Sequence, residues 1–295
     1  MTGAERGFLL LTGFLGDPAQ HPLTTAQLRE LTRCCRRMEK PSAERDLTVR
    51  DLMKLGCDQD TANRTVLLLS RQEQLDWYLE KAKQANCFPL TRISPDYPGR
   101  LRKALNMEAP ACLWIKGNRS VLNMPRVSLV GSRELHPENL LFARWLGAQA
   151  ALQGYALVSG NARGADREAQ ESCLGQGGSV ICVVADPLQD HPERENVLYV
   201  AEEGFDIAFS SYRALSRNRI IHSLSEKTFV AQSSLGKGGT WSGTKKNLRY
   251  GWSDVYCFQD GSDAARELCA MGAHPVDMDH PETLFIQQSD QLTML

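Results

Sequence analysis

From Val127 onward, short apolar bursts alternate with longer stretches of helical periodicity, and that alternation leaves few folds open. The bursts 127–130 (VSLV), 155–158 (YALV), 180–184 (VICVV), 206–209 (DIAF), 228–231 (TFVA) and 255–258 (VYCF) read as strands. Residues 138–153, 166–176, 194–203, 218–224, 242–250 and 264–271 read as the helices between them. Strand–helix alternation at this spacing implies right-handed crossovers. The expected class is α/β, a doubly wound, mostly parallel, Rossmann-like sheet over residues 127–295.

Residues 1–88 have another texture. Thr24 precedes Leu28, Leu31 and Cys35, spaced for one helix face, and 47–56 (LTVRDLMKLG) reads as a short helix stopped by a glycine. The stretch 58–85 carries Leu67, Leu68, Leu75, Tyr78, Leu79 and Ala82 at helical spacing. These residues are expected to form a small helical domain with a SAM-like or helix-hairpin-helix-like pattern. Residues 89–126, with Pro95, Pro98 and Pro110, read as a connector holding one or two short strands. The apolar run 8–16 (FLLLTGFLG) reads as a buried first helix rather than a leader, and no run is long enough to span a membrane. Nine cysteines are scattered without a C-x-x-C pair, so reduced thiols in a cytoplasmic protein are expected, with no metal site and no cofactor.

In doubly wound sheets ligands bind beyond the carboxyl ends of the strands, close to helix N-termini. Four stretches stand there. The first is Gly131-Ser132-Arg133, where glycine permits close approach and arginine with free N–H groups suits an anion. The second is Ser159-Gly160-Asn161-Ala162-Arg163-Gly164-Ala165-Asp166, in which Asp166 is placed to cap the helix it opens. The third is Arg217-Asn218-Arg219, just before an apolar helix. The fourth, 236–243, has four glycines in eight residues around Lys237, a phosphate-cradle composition without the Walker register. There is no G-x-S-x-G, H-E-x-x-H or G-x-G-x-x-G, which disfavours hydrolase, zincin and dinucleotide redox chemistry.

Net charge is -1, so a globally basic nucleic-acid binder is excluded, yet the charge is uneven. Residues 213–250 hold eight basic side chains against Glu226, while 186–206 hold seven acidic ones against Arg194. The basic stretch fits a polyanion groove, and the acidic one is placed to narrow it or to dock a basic partner.

Taken in order, VSLVGSR (127–133), LVSGNARGAD (157–166), Arg194-Glu195-Asn196, RNRII (217–221) with Leu224-Ser225, and upstream Asp96-Tyr97-Pro98 and PACLWIKG (110–117) resemble the DprA/Smf family of DNA-processing proteins, over roughly 90–276. The resemblance implies a Rossmann-like domain that binds single-stranded DNA without sequence preference, forms a homodimer and hands the strand to a RecA-type recombinase. It implies phosphate contacts from Arg133, Arg163, Arg217 and Arg219, and close backbone approach at Gly131, Ser132, Ser159, Gly160 and Gly164. Asn218 belongs to the same motif, and Lys237, Lys245 and Lys246 would widen the electrostatic path. Ala165, Ala169-Gln170, Gly238-Gly239-Thr240 and Phe258-Gln259-Asp260 depart from the family pattern and mark a divergent branch.

Three functions follow. The first is binding of single-stranded DNA without catalysis, in DNA processing, recombination or phage defence. The second is a DNA-binding antitoxin with a toxin partner. The third is a small-nucleotide sensor or phosphoribohydrolase of the same fold superfamily, although no glutamate follows the glycine-rich loop and Lys245, Lys246 and Asn247 stand there instead.

Overall fold

The computed structural model describes residues 1–17, 19–37, 46–281 and 284–285, so the last ten residues of the 127–295 unit lie outside it. Nine strands form one sheet: β1 (Phe88–Thr91), β2 (Cys112–Gly117), β3 (Arg126–Val130), β4 (Ala156–Ser159), β5 (Val180–Val183), β6 (Val197–Glu202), β7 (Lys227–Val230), β8 (Asp254–Phe258) and β9 (His274–Val276). Their order is β1-β2-β6-β5-β4-β3-β7-β8-β9. All pairings from β6 across to β9 are parallel, with Val127 opposite both Leu157 and Lys227. The segment 89–126 contributes the antiparallel β2 and, with Phe88, the antiparallel β1. The chain is thus α/β with a doubly wound, mostly parallel sheet, as the alternation of apolar bursts implies.

Helices cover both faces, because parallel strands buried on both sides need apolar cover twice over. On one face α7 (Pro137–Leu152) and α8 (Ala165–Gly175) bury Phe142, Leu146 and Ala169 against Leu129, Leu157 and Phe229. On the other, α6 (Gly99–Leu105), α10 (Asn218–Leu224), α11 (Gly238–Tyr250) and α12 (Asp263–Ala270) bury Leu101, Ile220, Ile221, Trp241 and Leu268 against Val130, Val158 and Val230. The short α9 (Ser211–Ser216) runs straight into α10.

Two expected elements differ from the structure. Residues 194–203 hold a strand, β6, not a helix, and 206–209 hold no strand. Val197, Leu198, Tyr199, Val200 and Ala201 are all buried, and a continuous apolar run of this length cannot be assigned by periodicity. Asp206 is held instead by Tyr78, whose Oη donates to it at 2.7 Å, and by Lys81 Nζ at 2.8 Å.

Near the N-terminus, α1 (Gly3–Thr12), α2 (Thr25–Cys35), α3 (Val49–Lys54), α4 (Gln59–Leu69) and α5 (Gln72–Gln84) form in sequence. Thr24 caps α2 in a reciprocal box with Gln27, as its position suggests. Cys34, not Cys35, faces the core, and Leu67 points outward. The 58–85 stretch is two helices, broken where the buried Arg71 guanidinium donates to the carbonyls of Leu10 and Gly13. Leu9, Leu10, Leu75 and Tyr78 join the core beneath the sheet, with Tyr78 edge-on to Trp114 at 5.3 Å and beside Phe205 at 4.9 Å. Leu28, Leu31, Cys34, Leu52, Cys57, Ala62 and Leu68 form a separate small core.

On α10, turned toward α11, is the fully buried His222, whose Nδ1 accepts from Asn247 Nδ2 at 3.2 Å. Burial pushes its pKa down to about 3. The unfolded chain takes up this proton near the ordinary pKa of about 6.5 and the folded chain does not, so stability is full above that pH and lost as pH falls below it. Denaturant unfolding between pH 7.5 and 5 should show stability falling by up to about 1.4 kcal/mol per pH unit below about pH 6.5, and His222→Gln should flatten that slope.

Candidate nucleic-acid interface

The parallel strands end on one edge, and the winding reverses between β3 and β7. From β3 the chain steps through β4 and β5 to β6, then crosses by α9 and α10 to β7 on the other side of β3. A crevice opens at such a reversal because the connections leave in opposite directions. Here it is a cleft of two adjoining lobes. One, of about 430 Å³, lies between Gly131-Ser132-Arg133, Leu215-Arg217-Asn218 and the start of α11 at Lys237-Gly238-Gly239. The other, of about 490 Å³, lies between Arg133, Gly160–Arg163, Asp186 and Arg217. Arg133, Ala162, Phe209 and Arg217 line both.

The walls are set by a buried network. Asp166 is the second residue of α8 and does not cap it: Gly164 holds that position, and the Asp166 carboxylate accepts the N–H groups of Gly160 at 3.1 Å and Ala162 at 3.2 Å. It therefore clamps the loop after β4. Burial pushes its pKa up, opposed chiefly by the nearby Arg217. Arg217 is itself desolvated, which lowers its pKa, but a guanidinium stays charged in any protein environment. Its Nη1 donates to the Val183 carbonyl at 2.6 Å, and its plane lies against Gly160, where a Cβ would come within 1.8 Å of Nη1. Gly164 has φ +85 and crosses over the Ser132 and Arg133 carbonyls, 2.5 Å from where a Cβ would stand, so only glycine lets the two strand-end loops interlock.

The third side is the start of α11. Gly236 and Gly238 have positive φ, and the first N–H groups of the helix lack intrahelical acceptors. Thr240 Oγ1 donates to the Gly131 carbonyl at 2.9 Å and Asn218 Nδ2 to the Gly239 carbonyl at 3.1 Å, which fixes this helix start against the other two walls.

Around the cleft stand Arg133, Arg163, Arg217 and Lys237. Among the described residues Arg133 and the Lys237 side chain have no ion-pair or hydrogen-bond partner, and Arg163 makes only an exposed 3.6 Å contact with Glu134. Such exposed pairs yield easily to an anion. Gly131, Ser132, Gly160, Gly164 and Asn218 are brought to the same place, with Gly164 serving the interlock.

Four residues expected in the site lie elsewhere. Arg219 is turned away into a bidentate pair with Glu202, Nη1 meeting Oε2 at 2.8 Å and Nη2 meeting Oε1. Ser159 is fully buried and accepts from Gln170 Nε2. Lys245 and Lys246 sit on the outward face of α11, away from both lobes. Four carboxylates of the acidic run are equally committed: Glu202 to Arg219, Glu203 to Arg213 at 3.1 Å, Asp206 to Tyr78 and Lys81, Asp186 to His191 at 3.1 Å. His191 holds the Asp186 carboxyl below its ordinary pKa. Sequence reasoning missed Phe209, which is 56% exposed and stands where the lobes meet. An exposed aromatic beside arginines is a stacking surface for a base, and a lone phenylalanine in a misassigned strand gave no hint of it.

Comparisons with known proteins place the fold in a family. The sequence model of a family described as DNA recombination-mediator protein A matches residues 89–284. Protein Smf of Borreliella burgdorferi is 26% identical over 196 residues, which cover 62% of this chain and 61% of that protein. The DNA processing protein DprA of Streptococcus pneumoniae is 29% identical over 173 residues, covering 53% and 58%. The matches thus span about three-fifths of these curated relatives. Among solved structures, DNA processing protein A from Streptococcus pneumoniae matches at TM-score 0.74, 21% identity, over 98% of this chain and 100% of that one. That from Helicobacter pylori matches at TM-score 0.58, 24% identity, over 67% and 95%. Both show the shared fold.

The clamp predicts a measurable cost. Asp166→Ala leaves two N–H groups without their acceptor and should lower stability by about 1–3 kcal/mol in denaturant unfolding, while Asp166→Asn, which keeps an acceptor oxygen, should cost less.

Proposed function

Because this chain belongs to the DNA recombination-mediator protein A family, the DprA/Smf group, we propose that it binds single-stranded DNA in the two-lobed cleft, through the sugar-phosphate backbone and without chemistry on it. The observation that carries this reading is the convergence of Arg133, Arg163, Arg217 and Lys237 from four separate stretches of chain on one cleft. The helix start at Gly238 adds N–H donors for phosphate oxygens. Phe209 offers a sequence-tolerant surface for a base. The DNA processing protein A of Helicobacter pylori binds single-stranded DNA, which agrees with this reading.

The absence of catalysis is part of the proposal. Asp166 is already engaged by two backbone N–H groups and buried beside Arg217, and Asp186 is held ionised by His191, so neither is free to act as a general acid. A second reading rests on size: the 430 Å³ lobe at the glycine-rich helix start has room for one nucleotide. Incubation with nucleoside monophosphates should leave them intact, and release of free base would overturn the non-catalytic reading.

Titration with single-stranded oligonucleotides at two salt concentrations tests the interface. Arg133→Ala and Lys237→Ala should each weaken binding equally across sequences and reduce the salt slope by about 0.7. Arg219→Ala should leave the slope unchanged and lower stability instead, because it strands Glu202. Wild-type affinity and slope in both Arg133→Ala and Lys237→Ala would refute the proposed interface.

A further inference from the structure

The outward face of α11 carries Ser242, Lys245, Lys246 and Arg249 at steps of three or four residues, so they form one stripe. The stripe begins at Ser242, one turn past the helix start that walls the cleft, and ends at Arg249, about 10 Å further on at 1.5 Å per residue. Beside it lies a groove of about 500 Å³. Its floor is apolar, made by Trp241, Leu248 and Met271, the residue that closes α12. Its rim is cationic, and no carboxylate lines it. Lys245 Nζ lies 5.7 Å from the Trp241 ring. Arg249 lies 5.5 Å from the Tyr250 ring, which is 59% exposed and stacks on Trp252 at 5.6 Å. Among the described residues none of the three cations has a carboxylate partner, whereas Arg213 and Arg219 of the same basic stretch do.

We propose that this groove is a second station for the same nucleic-acid strand: leaving the cleft past Gly238, the strand follows α11, sets its phosphates on Lys245, Lys246 and Arg249, and turns its bases to the apolar surface of Leu248 and Met271. The proposal rests on the cleft reading above. It follows from the alternation of a polyanion, charged on one edge and flat and apolar on the other, which a cationic rim above an apolar floor complements. At the duplex spacing of about 3.4 Å per phosphate, the stripe accommodates at most about three phosphates, so the full footprint exceeds that of the cleft alone.

The test compares K245A/K246A/R249A with the wild-type chain on oligothymidylates of about 5 and about 20 nucleotides, the shorter being near the smallest single-strand site sizes. The variant should bind the long oligomer at least about tenfold more weakly at low salt, with a salt slope reduced by about 2, roughly 0.7 for each of three lost contacts. It should bind the short one within about twofold of wild type, and Lys246→Arg should keep the wild-type slope. Unchanged affinity and slope for the long oligomer overturn the proposal, as does equal loss for both lengths. So does a variant that keeps the oligomers but loses polyglutamate, which marks the groove as a dock for an acidic peptide. Failure of the cleft reading looks different: R133A and K237A then leave both lengths unaffected, or the wild-type chain binds neither, and in that last case this proposal falls with it.

Discussion

Two N–H groups of the loop after β4 point at one buried carboxylate, and the shape of the cleft follows from that contact. Asp166 fixes Gly160 and Ala162, and Gly160 in turn is flat enough for the Arg217 guanidinium to lie against it. Arg217 then reaches the Val183 carbonyl, which ties α9 and α10 to the end of β5. A buried charge is tolerated only when paired and hydrogen-bonded. Asp166 finds its hydrogen bonds in the Gly160 and Ala162 N–H groups and Arg217 in the Val183 carbonyl, each charge favouring the other, while Arg133 and Arg163 stay at the surface. The cleft is therefore cationic at its rim and balanced at its base.

Much of the fold was legible because parallel strands covered on both faces read as compact apolar bursts between turn residues. β3, β4, β5, β7 and β8 fall within one or two residues of their expected positions. β6 was not legible, since VLYVAEE has the length and composition of a strand or a buried helix segment alike, and only its place between β5 and β2 decides. The site was legible to the extent that it is made of strand ends: Gly131, Arg133, Gly160, Arg163 and Gly164 are positioned by local chain geometry. Arg217 and Arg219 look equivalent in the sequence. They part ways because Glu202, seventeen residues earlier, lies across from one and not from the other, a fact of tertiary packing.

The same packing explains how a chain of net charge -1 presents a cationic cleft. Part of the acidic run neutralises part of the basic run, Glu202 pairing with Arg219 and Glu203 with Arg213. Among the described residues, Arg133 and Lys237 at the cleft and Lys245, Lys246 and Arg249 on α11 keep no carboxylate partner. Net charge averages over both populations, whereas a ligand meets only the second.

The aromatic contact among Tyr78, Trp114 and Phe205 bears on how such a chain has been assembled. Its helical leading segment is not a cartridge clipped onto a finished sheet: α1 and α5 plug the flank of β2, and only α2 to α4 have a hydrophobic centre of their own. Cutting the polypeptide where its composition changes would leave Trp114 as an open wound, prone to stick to other molecules. A shortened front end that keeps Trp114 covered therefore needs both α1 and α5, whereas α2 to α4 pack around a separate centre.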